Sequence, residues 1–502
     1  MTTDGSAEHR PSLTKIIATI GPASDSLDML VKLAREGVSL FRLNFSHGDL
    51  DGHAKNLNHI RKAEGIIGHP LGVIGDLSGP KIRVGKVVEG GIKVTTGQDV
   101  IFQREEVVAE DAPVPVFSST YPHLIDDVDQ GHRILINDGA VRMLVIGKEA
   151  DRLICRVTVG GLITSGKGIN LPNSDLSAPA LTEKDWRCVD WALAHEVDYL
   201  ALSFVRRADE VLKLKDHIIR NATCSVPGAS AFSSDSDIPI IAKIERPEAI
   251  DNIDEIIDAA DAIMVARGDL GVEMDLAEVP VIQKSIMMRC RNYGKPCIVA
   301  TQMLQSMIDN PIPTRAEASD VANAIFDGAD AVMLSGETAV GKYPDLAVST
   351  MQRIALKTEE HRASVDSDDF RKEAEQATDD ISTAIAAGAR RIAHDIGADL
   401  IMCWSQLGGT ARKLSQNDFH LPIIAFSNNI SALRRMSLYR CVVPQQSAAA
   451  EMLMDAVKIM DNSVMRAGWA KPDDLAILVL GKPLGKPGCT NRVTVHRVGR
   501  EL

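Results

Sequence analysis

Lys243 and Glu245, one residue apart, and Arg267 and Asp269, spaced the same way, are the residues of this chain whose types and spacing most directly imply chemistry. Each pair follows an apolar run, Ile240-Ile241-Ala242 before the first and Ala262-Ile263-Met264-Val265 before the second. On an extended strand alternate side chains share a face, so each run delivers its charges to one rim where burial ends. Two carboxylates beside two cations suit a divalent metal that holds an anionic substrate.

Eight short apolar or β-branched runs can position such residues: Lys15 to Ile20, Ser39 to Leu43, Leu71 to Gly75, Tyr199 to Leu202, Ile240 to Ala242, Ala262 to Val265, Cys297 to Ala300 and Ala331 to Leu334. Stretches with helical periodicity separate most of them, among them Ser26 to Glu36, Ala208 to Arg220 and Glu278 to Tyr293. Continuous apolar strands alternating with helices predict a parallel sheet covered on both faces, and eight units predict a (β/α)8 TIM barrel in the α/β class. Polar residues follow the strands: Asn44 and Ser46, Asp76, Ser203, Lys243 and Glu245, Asp269, Thr301, and Ser335 with Glu337. Active sites of such barrels sit at the C-terminal rim. Helix N-caps would account for Ser203 or Ser335 taken singly, but poorly for a lysine and a glutamate at the end of an apolar strand.

Too many residues separate the third run from the fourth for a loop. Residues 85–179 are rich in Val, Gly and short alternating runs such as Val141 to Ile146 and Leu153 to Val159, which predicts an inserted small β-barrel domain. Its chain leaves through Lys81, Ile82 and Arg83 and returns through Gly168 to Leu181, so it emerges from the catalytic rim as a lid able to exclude water. The catalytic barrel is assigned to 13–84 and 180–362, after a disordered tail over 1–12. A helix from Pro344 to about His361 leads into Ser364 to Asp369, which reads as a linker. Residues 370–502 then alternate helix-like Thr378 to Ile396 with strand-like Asp399 to Trp404, Pro422 to Phe426, Arg440 to Val443 and Leu475 to Leu480, predicting a C-terminal α/β domain. The Ser/Ala-rich stretch Asn221 to Asp237 reads as a mobile surface insertion.

A net charge of -13 argues against nucleic acid or an anionic membrane as a partner, so any anionic substrate must meet locally focused cations. The 8 cysteines are scattered without a CxxC pair, the start of the chain lacks the apolar core of a signal peptide, and no apolar run is long enough for a bilayer. A cytoplasmic protein is expected.

Arg42-Leu43-Asn44-Phe45-Ser46-His47-Gly48, Ala242-Lys243-Ile244-Glu245, Ala266-Arg267-Gly268-Asp269-Leu270-Gly271, Ala300-Thr301-Gln302-Met303-Leu304 and Met333-Leu334-Ser335-Gly336-Glu337-Thr338 stand in the order seen in pyruvate kinases. The chain resembles that family from about Thr14 onward. The resemblance implies phosphoryl transfer from phosphoenolpyruvate to ADP, giving pyruvate and ATP in the last step of glycolysis, by a homotetramer. It implies that Glu245 and Asp269 hold Mg2+ or Mn2+, and that Lys243 neutralises charge on the migrating phosphoryl group and on the enolate. Gly268 and Asp269 open a helix whose N–H groups suit the substrate carboxylate, Arg42 suits its phosphate, and Thr301 helps deliver a proton. Asn44, Phe45, Ser46, His47, Arg83 and the lid's Lys167 are assigned to the nucleotide.

Each role has a plainer competitor: a structural salt bridge for Lys243, an N-cap for Thr301, a solvated loop lysine for Lys167, and a neighbouring carboxylate for Arg267. Many family members also use K+ held by oxygens equivalent to Asn44, Ser46, Asp76 and the backbone of Leu77. In those relatives a glutamate stands where this chain has Lys81 and a threonine where it has Leu77, so the Lys81 ammonium is expected to replace K+ and remove the requirement for it. Ser405-Gln406-Leu407-Gly408-Gly409-Thr410 resembles the family's effector loop, which implies allosteric control by a sugar phosphate, with Gly481 to Asn491 closing the site. A metal-dependent pyruvate lyase or aldolase shares the carboxylates and the enolate but needs neither lid nor Arg83 and Lys167. A silent metabolite sensor would not need Lys243, Glu245, Asp269 and Thr301 together.

Overall fold

The computed structural model describes residues 11–172, 174–222, 238–365, 380–448 and 452–501. Most of the expected insertion and linker, residues 1–10 of the tail and the first residues of the helix anticipated from Thr378 lie outside this set. Ser12, placed in the tail by the sequence reading, is buried with its hydroxyl 2.8 Å from Gln352 Oε1.

Eight strands close into a barrel: Lys15–Thr19, Val38–Asn44, Gly72–Asp76, Tyr199–Leu202, Ile240–Ile244, Ala262–Ala266, Cys297–Ala300 and Ala331–Leu334. Neighbours pair in parallel and the eighth closes on the first, through Lys15 beside Ala331. Two apolar shells result. Ile17, Leu40, Ile74, Ala201 and Ile241 share one cluster with residues of the other strands, filling the barrel interior, while alternate residues such as Phe41, Val73, Leu200 and Ala242 pack in a larger cluster with the surrounding helices. Two positions beyond each of these interior residues, on the same strand face, stand Thr19, Arg42, Asp76, Ser203 and Lys243. The polar rim is therefore the top layer of the same stack, which is why these residues converge.

The insertion forms a six-stranded sheet and a two-stranded ribbon around one apolar core that includes Phe102, Phe117 and Val145. Val141–Lys148 and Arg152–Val159 are its central hairpin, alternating buried and exposed positions as their sequences anticipate. The helix after the eighth strand runs Pro344–Val365, so Ser364 and Val365 are helical where a linker was expected. The C-terminal domain is a five-stranded sheet; its first four strands, Leu400–Trp404, Ile423–Ser427, Val442–Gln446 and Leu475–Gly481, were anticipated. The antiparallel edge strand Thr490–Arg497 was not, because its charged, half-exposed sequence carries little apolar signal.

This domain plugs the N-terminal end of the barrel. Leu438 joins the interior cluster, Lys15 Nζ donates to the Val442 carbonyl (2.7 Å), and Gln416 Nε2 donates to Asp330 Oδ1 (2.8 Å). Asp330 also accepts the Cys297 N–H (2.9 Å). Burial nevertheless pushes its carboxyl up from 3.8 to about 6. Because the folded state then holds the proton more tightly than the unfolded chain, this group's contribution falls as pH rises from 3.8 to about 6, by about 3 kcal/mol. Asp330→Asn keeps an acceptor for Cys297 and turns a donor toward Gln416, whose amide can flip. Urea unfolding at pH 4 and pH 7 should show a flatter pH dependence for the variant, with most of the gain at pH 7; an unchanged slope would exclude Asp330 as the source.

Candidate active site

Asp76 lies at the centre of the rim, 1% exposed. Its Oδ2 accepts from Arg42 Nε (2.6 Å) and its Oδ1 from Lys243 Nζ (3.2 Å). Although burial opposes its charge, Arg42 and Lys243 hold the carboxyl below its ordinary range. Lys243 also donates to Ser203 Oγ (2.7 Å) and pairs with Glu245 Oε1 (2.9 Å). Burial works against this ammonium too, but Asp76 and Glu245 outweigh it and keep the group protonated above its usual range. Lys243 is thus a fixed cation rather than a proton donor.

Glu245 is 2% exposed and accepts the Phe204 N–H (2.7 Å) through Oε2. Burial pushes its carboxyl up; Lys243 opposes the shift and Asp269 adds to it. The Asp269 carboxyl is raised as well, by burial first, with Lys243 opposing and Asp138 adding. Among the described residues Asp269 has no side-chain hydrogen bond or ion pair. Two strained carboxylates, one of them unpartnered, fit a hard cation placed between them. Among the described residues no cluster of three or more His, Cys, Asp or Glu could form a cage on its own, so substrate and water oxygens would have to complete the shell.

Thr301 and Gln302 follow the seventh strand with φ of 68° and 55°. A β-branched residue held there is strained backbone at a rim. The Thr301 hydroxyl accepts the Gly268 N–H (2.7 Å) and donates to the Ala300 carbonyl (2.6 Å). The Gly268 N–H is therefore engaged rather than open to a ligand, and a Cβ at position 268 would stand 3.2 Å from Thr301 Oγ1. Arg267 does not join the cluster. It reaches Asp320 (2.7 Å), the Thr301 carbonyl (3.0 Å) and Met303, because it opens the helix Arg267–Glu273 on the side facing the following loop. Its role is the plainer one, holding the Thr301 turn. Glu337 is likewise structural, fully buried and accepting the N–H groups of Leu304 (3.0 Å) and Ser335 (2.8 Å).

A cleft of about 330 Å3 lies between rim and lid, lined among others by Lys81, Arg83, Asp138, Lys167, Asp269 and Glu273. Arg83 Nη1 donates to the Gly166 carbonyl (2.7 Å), tying the outgoing lid chain to the loop that carries Lys167. Lys81 is exposed at the mouth, has no hydrogen bond or ion pair among the described residues, and is shifted down by partial enclosure and by Lys243 and Arg83. His47 is shifted down for the same reasons, with Lys81, Arg83 and Arg42 as its cationic neighbours. Asn44 Oδ1 accepts the Ser46 N–H (3.1 Å), closing the turn before His47. Phe45 is different: its ring is buried between His53 and Trp191, its N–H donates to the Asp76 backbone carbonyl (3.0 Å) and its own carbonyl accepts from Lys184 (2.6 Å). Its side chain is buried and does not line the cleft between rim and lid.

The Leu77 carbonyl accepts from Ser203 Oγ (2.7 Å). The sequence reading missed Asn137 and Asp138, two positive-φ residues (both 54°) at a lid hairpin tip that bring Asp138 into the field of Asp269. Asn-Asp-Gly at 137–139 was the available signal. It also missed the clasp on the returning lid chain: Arg206 holds the carbonyls of Leu176 and Ala178 (2.9 Å to the latter), Arg246 those of Leu171 (3.3 Å) and Ser174 (3.4 Å), and Asn170 donates to Glu273 (3.0 Å). In the C-terminal domain, Ser405, Gln406, Leu407, Gly409 and Thr410 line a cleft of about 110 Å3 with residues of the 481–490 segment, and Thr410 bonds Thr490 (2.6 Å). Gly408 takes φ 87° at the start of the following helix.

A (β/α)8 barrel whose C-terminal rim carries a buried lysine among carboxylates, beneath a β lid lined with cations, defines a phosphotransferase-type enzyme for anionic substrates. The family models for the pyruvate kinase barrel domain and the pyruvate kinase alpha/beta domain match residues 12–348 and 383–496, and the chain belongs to the pyruvate kinase family. It is 41% identical to the pyruvate kinase of Geobacillus stearothermophilus over 492 residues, 96% of this chain and 80% of that one. To the pyruvate kinase of Mycobacterium intracellulare it is 40% identical over 494 residues, covering 97% and 98%. The crystal structure of a pyruvate kinase from Cryptosporidium parvum superposes with a TM-score of 0.88 at 34% identity, over 97% of this chain and 96% of that one. No helix among the described residues is long and apolar enough to cross a membrane.

Proposed function

We propose that the chain transfers the phosphoryl group of phosphoenolpyruvate to ADP at this rim, with Lys243 as the fixed cation, in a divalent-metal-dependent and K+-independent reaction. The observation that carries this reading is the Lys243 ammonium, buried against Asp76, Ser203 and Glu245 at 3.2, 2.7 and 2.9 Å, below a cleft that Arg83 and Lys167 line. An ADP β-phosphate oxygen attacks phosphorus as the bond from phosphorus to the enol oxygen breaks, leaving the enolate of pyruvate. Lys243 meets the charge that develops on the transferring oxygens and the enolate, without a proton to surrender. Arg42, anchored by Asp76 and Thr19, presents its remaining N–H groups to the phosphate. Mg2+ or Mn2+ held by Glu245 and Asp269 would supply Lewis-acid stabilisation of substrate oxygens.

Protonation of the enolate carbon completes the reaction. Thr301 orders the water that delivers this proton, the strained turn keeping its hydroxyl beside Gly268. The Asp269 N–H at the helix start faces the substrate carboxylate, Gly268 allowing close approach while its own N–H stays on Thr301, His47, Arg83 and Lys167 face the nucleotide phosphates, and the lid closes on the loaded site through the Arg206 and Arg246 clasp. The domain limits 13–84 with 180–362, 85–179 and 370–502 belong to this reading, as do a homotetramer, a cytoplasmic location and a sugar-phosphate effector at Ser405 to Thr410. An initial-rate assay with phosphoenolpyruvate and ADP, with and without Mg2+ and K+, tests it. ADP-dependent pyruvate formation that requires Mg2+ is expected; pyruvate release without ADP would favour lyase chemistry instead.

A further inference from the structure

A second cationic cavity lies at the opposite end of the barrel, where the C-terminal domain plugs it. It has a volume of about 350 Å3 and lies between the starts of the fourth and fifth barrel strands, at Tyr199 and at Ile238 with Pro239, and the C-terminal helices Gly409–Ser415 and Ile430–Met436. Lys215, Arg412 and Arg435 line it, against Asp261 as the acid of the described lining. Asp261 is already committed, to Lys215 (3.1 Å) and to the Ile240 N–H (2.9 Å). Arg412 and Arg435 have no side-chain hydrogen bond or ion pair among the described residues, and Arg435 Nε is buried without a partner. The Arg435 backbone is fixed, since its carbonyl accepts from Tyr199 Oη (2.7 Å).

Two half-buried guanidiniums without an ion-pair partner among the described residues, lining one cleft in a chain of net charge -13, favour an anion that joins them. A guanidinium pair is a fork for phosphate oxygens. The rest of the wall is mixed: Ile218, Leu407, Pro239 and Tyr439 make an apolar and aromatic side, and Asn429 and Ser431 stand beside it. A flat or apolar body can pack on the apolar side, against which a highly hydroxylated one would lose hydration. We propose that this cavity binds a small phosphate monoester with an apolar or flat body, Arg412 and Arg435 taking the phosphate. The cleft at Ser405 to Thr410 shares only the loop residues Leu407 and Gly409 with this one: Lys413 and Thr410 line that cleft, and Arg412 and Arg435 line this one. An occupant here would tie the barrel's closed end to the C-terminal domain, so binding is expected to raise Tm.

The test is titration of the full-length protein with phenyl phosphate, glycerol 3-phosphate and inorganic phosphate, read by calorimetry and thermal unfolding. Saturable binding of phenyl phosphate, one per chain, tighter than glycerol 3-phosphate and accompanied by a higher Tm, is the expected result. Arg435→Gln should weaken it by about tenfold or more and abolish the Tm shift, with folding checked by circular dichroism; Arg412→Gln serves if that variant does not fold. Thr410→Ala should leave the binding in place. Absence of saturable binding at millimolar concentration, binding that survives both glutamine variants, or binding lost in Thr410→Ala would overturn the proposal. None of these readouts depends on turnover, so they stand apart from the catalytic reading.

Discussion

Replacing Lys243 with methionine is expected to lower kcat for ADP-dependent pyruvate formation by roughly 10^3-fold, with Mn2+ still bound by the folded enzyme. The substitution keeps the length and apolar stem of the side chain and removes only the charge. Its structural cost is real, because Lys243 is the shared partner of Asp76 and Glu245, and breaking a buried pair costs about 3–5 kcal/mol where nothing else compensates. Here compensation exists: Asp76 keeps Arg42 at 2.6 Å, and Glu245 keeps the Phe204 N–H at 2.7 Å. Glu245, already shifted upward by burial, can also take a proton. A lower Tm with a preserved circular dichroism spectrum is therefore expected. The two effects separate cleanly, since stability is measured without substrate and kcat at temperatures well below the transition. A folded variant that retained a tenth of wild-type kcat would leave Lys243 as a salt-bridge residue and return the chemistry to the metal and Arg42.

Much of this site was legible in the sequence because barrel strands obey a period of two. Once the apolar runs were placed, Lys243 and Glu245 had to share a face, and Asp76 and Ser203 fell at matching heights on neighbouring strands. What the sequence could not reveal was which charges are spent inside the protein. Arg267 and Lys243 both follow buried strands, yet Arg267 begins a helix and swings to Asp320, while Lys243 stays on the extended chain and points into the mouth. Phe45 sits among residues assigned to the nucleotide, but its burial is a tertiary fact set by His53 and Trp191. The lid clasp at Arg206 and Arg246 uses backbone carbonyls as acceptors, which leave no trace in residue identity. The edge strand Thr490–Arg497 escaped notice because pairing on one side only asks little of its side chains.

If the reaction is K+-independent as proposed, Lys81→Glu is expected to give an enzyme whose rate, measured in a large organic cation, falls by about 10^2-fold and returns on adding K+. The ion requirement depends on which oxygens are free. Asp76 is held by Arg42 and Lys243, the Leu77 carbonyl accepts from Ser203, and Asn44 Oδ1 accepts the Ser46 N–H. Oxygens engaged in this way form a poor cage for a weakly binding monovalent ion, whereas Lys81 lies within the field of Asp76 at the cleft mouth, its ammonium uncommitted among the described residues. Lys243 and Arg83 repel it while Asp269 and Asp76 attract it, so its charge sits between the rim carboxylates and the cleft that an incoming phosphate would enter. Glutamate at 81 reverses that charge next to the site of transfer and supplies a ligand that only a cation can neutralise. Wild-type rates in K+ and in tetramethylammonium, at fixed Mg2+, should agree within about twofold. A large K+ activation of the wild type would show that the ion is still bound despite Lys81, and a variant that K+ fails to rescue would show that Lys81 contacts substrate rather than standing in for the ion.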